Sequence, residues 1–223
     1  MKKILTLQDI KSSSWGERIH DLLGNNLLSA FLHGNCLHEG FDAIHEPWQI
    51  SLILEDSRPE KLRDVHRLSR DMAKDNLKFG FFLDREFLLS KQNDYPLEFL
   101  HISQKNVLLY GNPPLSGFVP EEMGLRNECR WELECRRLHL IREFTRIQAG
   151  ITPMDFFIAV YEEILPILYG VFFLKQKKYP QNREELLECF PEFRIKEPAL
   201  TFDENVKRAD TVLAAIRQLE ESL

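Results

Sequence analysis

The first half of the chain mixes two hydrophobic patterns. Apolar residues at helical spacing predict one helix that begins after Ser14 and another that begins after Pro59. Short apolar runs bounded by turn residues predict strands at residues 27–32, 49–55, 78–83, 96–102 and 106–110. This succession predicts a small mixed sheet backed by helices.

The second half is helical in pattern throughout. Residues rich in helix breakers connect it to the first half at positions 111–120, and we place the domain boundary at 118, with domains 1–118 and 119–223. Helices are predicted at 121–148, after Thr152-Pro153, at 182–189 and at 203–223. The first should bury one face made of Leu125, Cys129, Leu133, Leu140, Ile141, Phe144 and Ile147. The fold class expected is α+β, a mixed sheet followed by an antiparallel helical bundle.

The net charge and the cysteine spacing indicate which binding partners and which cell compartment to expect. The net charge of -6 and the pI near 5.7 give the whole chain no electrostatic footprint for nucleic acid, so we expect no nucleic-acid partner. The four cysteines are widely spaced and form no C-x-x-C, which is typical of reduced thiols in a cytoplasmic protein.

A membrane location is not expected either. The most apolar stretch, residues 156–174, contains Glu162, Glu163 and Pro166, which favours a buried helix of a soluble protein over a membrane span. The N-terminus is basic but has no apolar core of signal-peptide length, so we predict no export.

Five segments carry a resemblance to a known family. They are FLHGN (31–35), ISLIL (50–54), DYPLEFLHI (94–102), VLLYGNPPL (107–115) and WELECRRLHLIREF (131–144). In order and spacing, over nearly the whole chain, they resemble the nucleotidyltransferase superfamily that includes kanamycin nucleotidyltransferase, and within it a bacterial group of two-domain nucleotidyltransferase-like proteins. The resemblance implies a nucleotidyltransferase fold. In active members it also implies NTP and Mg²⁺ as cofactors.

The resemblance also implies where the site lies. Active members hold the nucleotide phosphates with a Gly-Ser turn, and Gly34-Asn35 stands at that position here. They then place two aspartates at the start of the second strand to bind Mg²⁺. Aligning the strand ends puts Trp48 and Ile50 at those positions, and neither side chain binds a metal. The catalytic pair is therefore expected to be missing.

Two glutamates offer a partial replacement. Glu46 lies two residues before Trp48 and is the candidate for a displaced metal ligand. Glu98 is the candidate for the third carboxylate of the superfamily, which activates the acceptor hydroxyl as a base. One base with one displaced ligand makes a poor two-metal site, so an active enzyme remains the alternative hypothesis.

The arginines of residues 126–146 have two interpretations. A basic wall would hold nucleotide phosphates, with Arg130 and Arg137 as the two candidates. A solvated helix face, paired with glutamates four residues away, is the interpretation we favour for the others.

Two further chemistries are considered. His33, Cys36, His38 and His45 crowd one loop, but H-x2-C-x-H-x6-H is not a recognised zinc knuckle, so an ordinary polar loop is favoured and no metal site is predicted. A Ser/His/Asp hydrolase has no support, since the chain contains no G-x-S-x-G.

Three functional hypotheses follow. The leading one is a degenerate, non-catalytic nucleotidyltransferase-like protein that binds a nucleotide or a protein partner. The second is an active Mg²⁺-dependent enzyme that moves a nucleoside monophosphate from NTP to a small-molecule or protein hydroxyl. The third is an interaction module in which the bundle makes a homodimer and the sheet only carries it.

Overall fold

The computed structural model describes residues 4–38, 41–147, 149–194 and 201–223. The chain divides into two compact units, Met1–Pro120 and Glu121–Leu223. In the described residues, the first unit is a sheet with helices on both faces and the second is helical. The chain is therefore an α+β protein, which confirms the predicted fold class.

The sheet of the first unit has mixed strand directions. Its order is β3-β2-β1-β4, with β1 antiparallel to β2 and β4, and with β2 parallel to β3. The strands in the described residues are β1 (Leu27–His33), β2 (Trp48–Leu54), β3 (Leu77–Asp84) and β4 (Asn106–Gly111). Each was predicted to within one residue at either end.

Two groups of helices cover the two faces of this sheet. The helices are α1 (Leu7–Lys11), α2 (Trp15–Leu23), α3 (Val65–Lys74), α4 (Arg85–Ser90) and α5 (Pro96–Gln104). On one face Leu52 packs in a cluster with Ile19 of α2 and Met72 of α3. On the other face Phe31 packs in a cluster with Leu88 of α4 and Phe99 of α5. Because side chains alternate along a strand, each strand supplies both cores.

The prediction of a strand at 96–102 is wrong, because this segment begins α5. Pro96 occupies the start of the helix, where its fixed φ and missing N–H are tolerated. Phe99 and Ile102, three residues apart, both pack against the face of the sheet that carries Phe31. Short apolar runs do not distinguish a strand from a buried helix by pattern alone.

The second unit is an antiparallel bundle. Its described helices are α6 (Glu122–Phe144), α7 (Pro153–Gln176), α8 (Arg183–Cys189) and α9 (Phe202–Ser222). The start of α6 meets the end of α7, where Lys177 pairs with Glu122. The end of α6 meets the starts of α7 and α9, where Phe144 packs against Phe156 and Phe202. Both α7 and α9 therefore run antiparallel to α6.

The buried face of α6 differs from the predicted one at Ile141. Leu125, Leu133 and Leu140 are fully buried as expected, but Ile141 is 43% exposed. Adjacent helix positions are about 100° apart, so when Leu140 points into the core its neighbour points away from it.

Helix α7 is the central helix of the bundle. Among the described residues it alone is long and apolar enough to cross a membrane, and 61% of its most apolar window is buried inside the protein. Ile164, Leu168 and Val171 are fully buried. Burial of this kind is what a core helix of a soluble bundle requires.

Candidate functional site

The turn after β1 is the predicted phosphate-binding turn. Gly34 has a φ of +78°, in the left-handed region that favours glycine. The chain continues as one 3-10 turn, Gly34–Leu37, and the buried Cys36 thiol donates to the His33 carbonyl at 3.2 Å. The backbone of the turn is thus fixed to the end of β1. The side chain of Asn35 lies outside the described part of the structure.

The two faces of β2 meet different surroundings. Trp48 and Ile50 point into the core on the α1–α3 side, where they are 5% and 0% exposed. Alternation therefore places Gln49 and Ser51 on the opposite face, the one covered by α4 and α5. Ser51 is fully buried there, and Gln49 is half-buried.

Ser51 links three strands through one hydroxyl. Its Oγ accepts the Phe81 backbone N–H of β3 at 2.8 Å and lies 2.8 Å from His33 Nε2 of β1. The tautomer of His33 determines whether the imidazole or the hydroxyl donates this hydrogen bond, because the serine oxygen has two lone pairs and one hydrogen. A Cβ on Gly80 would lie 2.4 Å from Ser51 Oγ, so glycine at this position makes room for the hydroxyl.

His33 is buried and uncharged at neutral pH. Its side chain is 8% exposed, and burial lowers its pKa to about 4. The ring packs against Phe31 and Phe81, with centroids 5.5 and 5.2 Å away. Its Nδ1 lies 3.9 Å from Glu98 Oε1, beyond hydrogen-bond distance. Glu98 itself is half-exposed, and partial burial raises the pKa of its carboxyl.

These contacts show which side chains of β2 lie on the same side of the sheet as Glu98. Glu98 and His33 lie on the α4–α5 side, together with Gln49 and Ser51, whereas Trp48 and Ile50 pack in the opposite core. The alignment of Trp48 and Ile50 with the aspartate positions and the loss of the aspartate pair stay predictions. Gln49 and Ser51 carry an amide and a hydroxyl, and neither supplies a carboxylate for Mg²⁺.

Ser51, His33 and Glu98 stand in the order of a Ser-His-acid triad but lack its chemistry. Ser51 is 0% exposed, so no substrate carbonyl reaches its oxygen in this structure. The same oxygen already accepts the Phe81 N–H. The arrangement is a buried polar network that joins strands.

Glu46, the predicted displaced metal ligand, lies in the loop before β2 with an exposed side chain. Its backbone carbonyl accepts a hydrogen bond from Asn76 Nδ2 at 3.1 Å. Burial raises the pKa of Cys36, and the nearby charge of Glu46 adds to that shift. Glu46 is therefore close enough to the Gly34–Leu37 turn for its charge to act on the Cys36 thiol.

The two candidate arginines have different environments within the bundle. Arg137 Nε donates to Glu220 Oε1 at 2.7 Å, and this pair, 23% and 12% exposed, joins α6 to α9. The carboxylate raises the pKa of Arg137. Arg130 is exposed. Nucleotide binding by either residue stays a prediction.

The histidines considered as zinc ligands form contacts with other side chains. His33 Nε2 is engaged with Ser51, and His45 Nδ1 lies 2.6 Å from Asp42 Oδ2. His38 Nδ1 lies 3.2 Å from Lys105 Nζ. In residues 4–38, 41–147, 149–194 and 201–223, no group of three or more His, Cys, Asp or Glu side chains is arranged to hold a metal ion.

Sequence reasoning missed three residues of this face: Gln49, Ser51 and Phe81. The signal for the first two was present in the segment WQIS, where apolar and polar residues alternate. Phe81 carried no signal of its own. Its place beside His33 depends on the parallel pairing of β2 with β3.

Comparisons with known proteins were made at the level of sequence and of structure. No protein-family profile and no curated protein matches this chain. A solved structure of a spectinomycin adenyltransferase from Enterococcus faecialis, with ATP and spectinomycin, has a TM-score of 0.46 and 12% identity, covering 90% of this chain and 96% of that one. A nucleotidyltransferase-like protein from Exiguobacterium sibiricum has a TM-score of 0.39 and 11% identity, covering 96% and 75%.

Proposed function

We propose that this chain is a nucleotidyltransferase-like protein without metal-dependent transfer activity, and that the sheet face around Gly34, Gln49 and Phe81 binds a nucleotide. The observation that carries the proposal is the neutral pair on β2, an amide at Gln49 and a buried hydroxyl at Ser51. Two-metal transfer needs carboxylates that hold the cations against the triphosphate. A neutral pair supports binding without transfer.

An exposed aromatic ring supports the nucleotide as ligand. Phe81 is 47% exposed, and one side of its ring packs on His33. The exposed part can stack on a nucleobase, an interaction worth roughly 1–3 kcal/mol per base. The backbone N–H groups of the Gly34–Leu37 turn are the proposed phosphate donors.

Calorimetric titration of ATP and GTP into the purified protein, with and without Mg²⁺, tests the proposal. We expect binding that does not depend on Mg²⁺, and about tenfold weaker binding in Phe81→Ala. Leu89→Ala, at an exposed apolar residue of α4, is the matched control and should leave the affinity unchanged. No binding under either condition would refute the nucleotide proposal.

The alternative is an active enzyme that uses Glu46 and Glu98 with Mg²⁺ and NTP. The raised pKa of Glu98 favours it, because a general base works best when its pKa approaches the operating pH. Mg²⁺-dependent nucleotide transfer that is lost in Glu98→Gln would establish this alternative. Absence of transfer to small-molecule and protein hydroxyls, together with Mg²⁺-independent binding, would reject it.

The bacterial cytoplasm is part of the same proposal. Cys36, Cys129, Cys135 and Cys189 are free thiols, which supports a reducing compartment. Fractionation of cells that express the untagged protein tests the location, and recovery in the membrane or exported fraction would contradict it.

A further inference from the structure

One face of α6 carries large apolar side chains that point away from its own bundle. Met123, Trp131, Leu138 and Ile141 are 58%, 61%, 58% and 43% exposed. At about 100° per residue, these side chains fall within roughly 80° of one another. We call this set the α6 outer face. The buried leucines and Cys129 of α6 lie on the opposite side, where α7 and α9 pack.

The spacing along the outer face is that of a helix-pairing seam. Trp131, Glu134, Leu138 and Ile141 follow one another at intervals of three, four and three residues. Seams of this spacing pack against another helix in coiled coils. Contiguous exposed apolar surface on one side of a helix marks an interaction site, because its hydration is unfavourable.

Two exposed charged side chains in the middle of this face form no ion pair among the described residues. Most arginines of α6 form ion pairs: Arg126 with Glu122, Arg136 with Glu132, Arg137 with Glu220 and Arg142 with Glu143. Among the described residues, Arg130 and Glu134 form none, although both are exposed and four positions apart. One positive and one negative group beside Trp131 thus form no ion pair within their own chain, although the charge of Glu134 also acts on Arg137.

We propose that the α6 outer face is a homodimer interface in which α6 packs antiparallel against α6 of a second copy. The two-fold axis would lie level with Glu132. Met123 and Ile141 are each nine residues from that level, so Met123 would face the partner's Ile141. Arg130 and Glu134 are each two residues from it, so Arg130 would face the partner's Glu134, and the pair forms twice.

This symmetry is the reason to propose a second copy of the chain as the partner that binds the α6 outer face. A two-fold interface is self-complementary, so each patch must match its own reverse. Two pairs of positions on the outer face meet this condition, one apolar (Met123 and Ile141) and one charged (Arg130 and Glu134). The two Trp131 rings would meet next to the axis, as the central anchors of the interface. The inference stands apart from the proposed nucleotide function, since it uses residues of the bundle only.

The proposed interface is small, and its size determines the affinity that we expect for the dimer. A standard interface has roughly 20–30 residues on each side, whereas one helix face offers fewer than half of these. We therefore expect a dimer with a dissociation constant in the micromolar range. The mass measured by sedimentation velocity should rise from 26.3 kDa towards twice that value between about 2 and 200 µM protein.

A change at the centre of the face tests its location. Trp131→Glu should remain monomeric over the whole concentration range, because a charge would replace the central anchor. Leu89→Glu is the control, a glutamate introduced at an apolar residue that is 69% exposed on α4, and it should dimerise as wild type does. Circular dichroism would verify that both variants keep their helical content.

Charge reversal tests the register. Arg130→Glu and Glu134→Arg should each weaken dimerisation about tenfold, because like charges would face each other across the axis. The double variant restores the pair in reverse and should return to within about threefold of wild type. Restoration supports the antiparallel register, since the two residues of one chain are not paired in the monomer.

Three results would overturn the inference. A wild-type protein that stays monomeric at 200 µM would show that a second copy does not cover this face. Dimerisation that survives Trp131→Glu would place the interface elsewhere. Failure of the double variant to recover would refute the two-fold register about Glu132.

Discussion

Burial of His33 makes the stability of the protein depend on pH. The folded protein holds the pKa of this imidazole at about 4, whereas the unfolded chain titrates near 6.5. Between these values, falling pH adds a proton to the unfolded chain but not to the folded one. The free energy of unfolding should therefore fall by about 2 kcal/mol between pH 7 and pH 5. Urea denaturation at the two pH values measures this loss.

His33→Gln is the control for that experiment. The amide can donate to or accept from the Ser51 hydroxyl in place of the imidazole but does not titrate. Glu98, whose raised pKa acts in the opposite sense, is present in both proteins and cancels to first order. The variant should lose less stability than wild type on going from pH 7 to pH 5, and an equal loss would contradict the assignment to His33.

A second residue-scale prediction concerns Gly80. Gly80→Ala should lower the free energy of unfolding by about 2 kcal/mol, because the new Cβ would lie 2.4 Å from Ser51 Oγ. The loss of stability caused by Gly80→Ala should be smaller in a Ser51→Ala background, because the clashing oxygen is absent there. Gly150→Ala, with no atom within 4 Å of its Cβ, is the matched control. Equal costs in both backgrounds would show that the hydroxyl is not the obstacle.

At the scale of secondary-structure elements, the prediction concerns the hydrogen bonds that begin a helix. Helix α7 begins with a capping box, in which Asp155 N–H donates to Thr152 Oγ1 at 3.1 Å and Thr152 N–H donates to Asp155 Oδ2 at 3.0 Å. Thr152→Ala removes the hydroxyl acceptor and should cost about 1 kcal/mol in thermal or urea unfolding.

The control for this change is a threonine in the middle of a helix. The Thr211 hydroxyl on α9 donates to the Lys207 carbonyl one turn earlier in the same helix. Thr211→Ala should therefore leave the free energy of unfolding unchanged or raise it slightly. If both substitutions had the same effect, the cap would contribute nothing specific to α7.

At the scale of the whole molecule, the structure predicts a protein without bound zinc. Imidazole nitrogens of the loop after β1 are engaged by Ser51, Asp42 and Lys105. Elemental analysis of protein purified without a histidine tag should find less than about 0.1 equivalent of zinc. One equivalent, lost in His38→Ala but kept in His66→Ala, would restore the metal hypothesis. His66 is a matched exposed histidine on α3.

The two units divide the proposed roles. The candidate nucleotide face belongs to the sheet of the first unit, and the proposed dimer interface belongs to α6 of the second. Variants of one should therefore leave the other property intact. Nucleotide affinity of Trp131→Glu and dimerisation of Phe81→Ala, each equal to wild type, are the expected results.

Hydrophobic patterning by itself determined most of the elements. The short apolar runs of β1, β2 and β3 predicted these strands correctly, because strands that are covered on both faces are apolar. The period near 3.6 predicted α6 and α9, because each of these helices buries one side against a core. The capping signal at Thr152-Pro153 likewise located the start of α7. The turn at Gly34 followed from the glycine after an apolar run.

Only the tertiary structure decided the outcome where patterns are ambiguous. Residues 96–102 are apolar enough for a strand or a buried helix, and packing against Phe31 selected the helix. Glu98 and His33 lie on the same side of the sheet as Gln49 and Ser51, and this placement does not follow from the sequence of β2. The network of Ser51, His33 and the Phe81 N–H joins residues up to 48 positions apart, because strand pairing, which is non-local, brings them together.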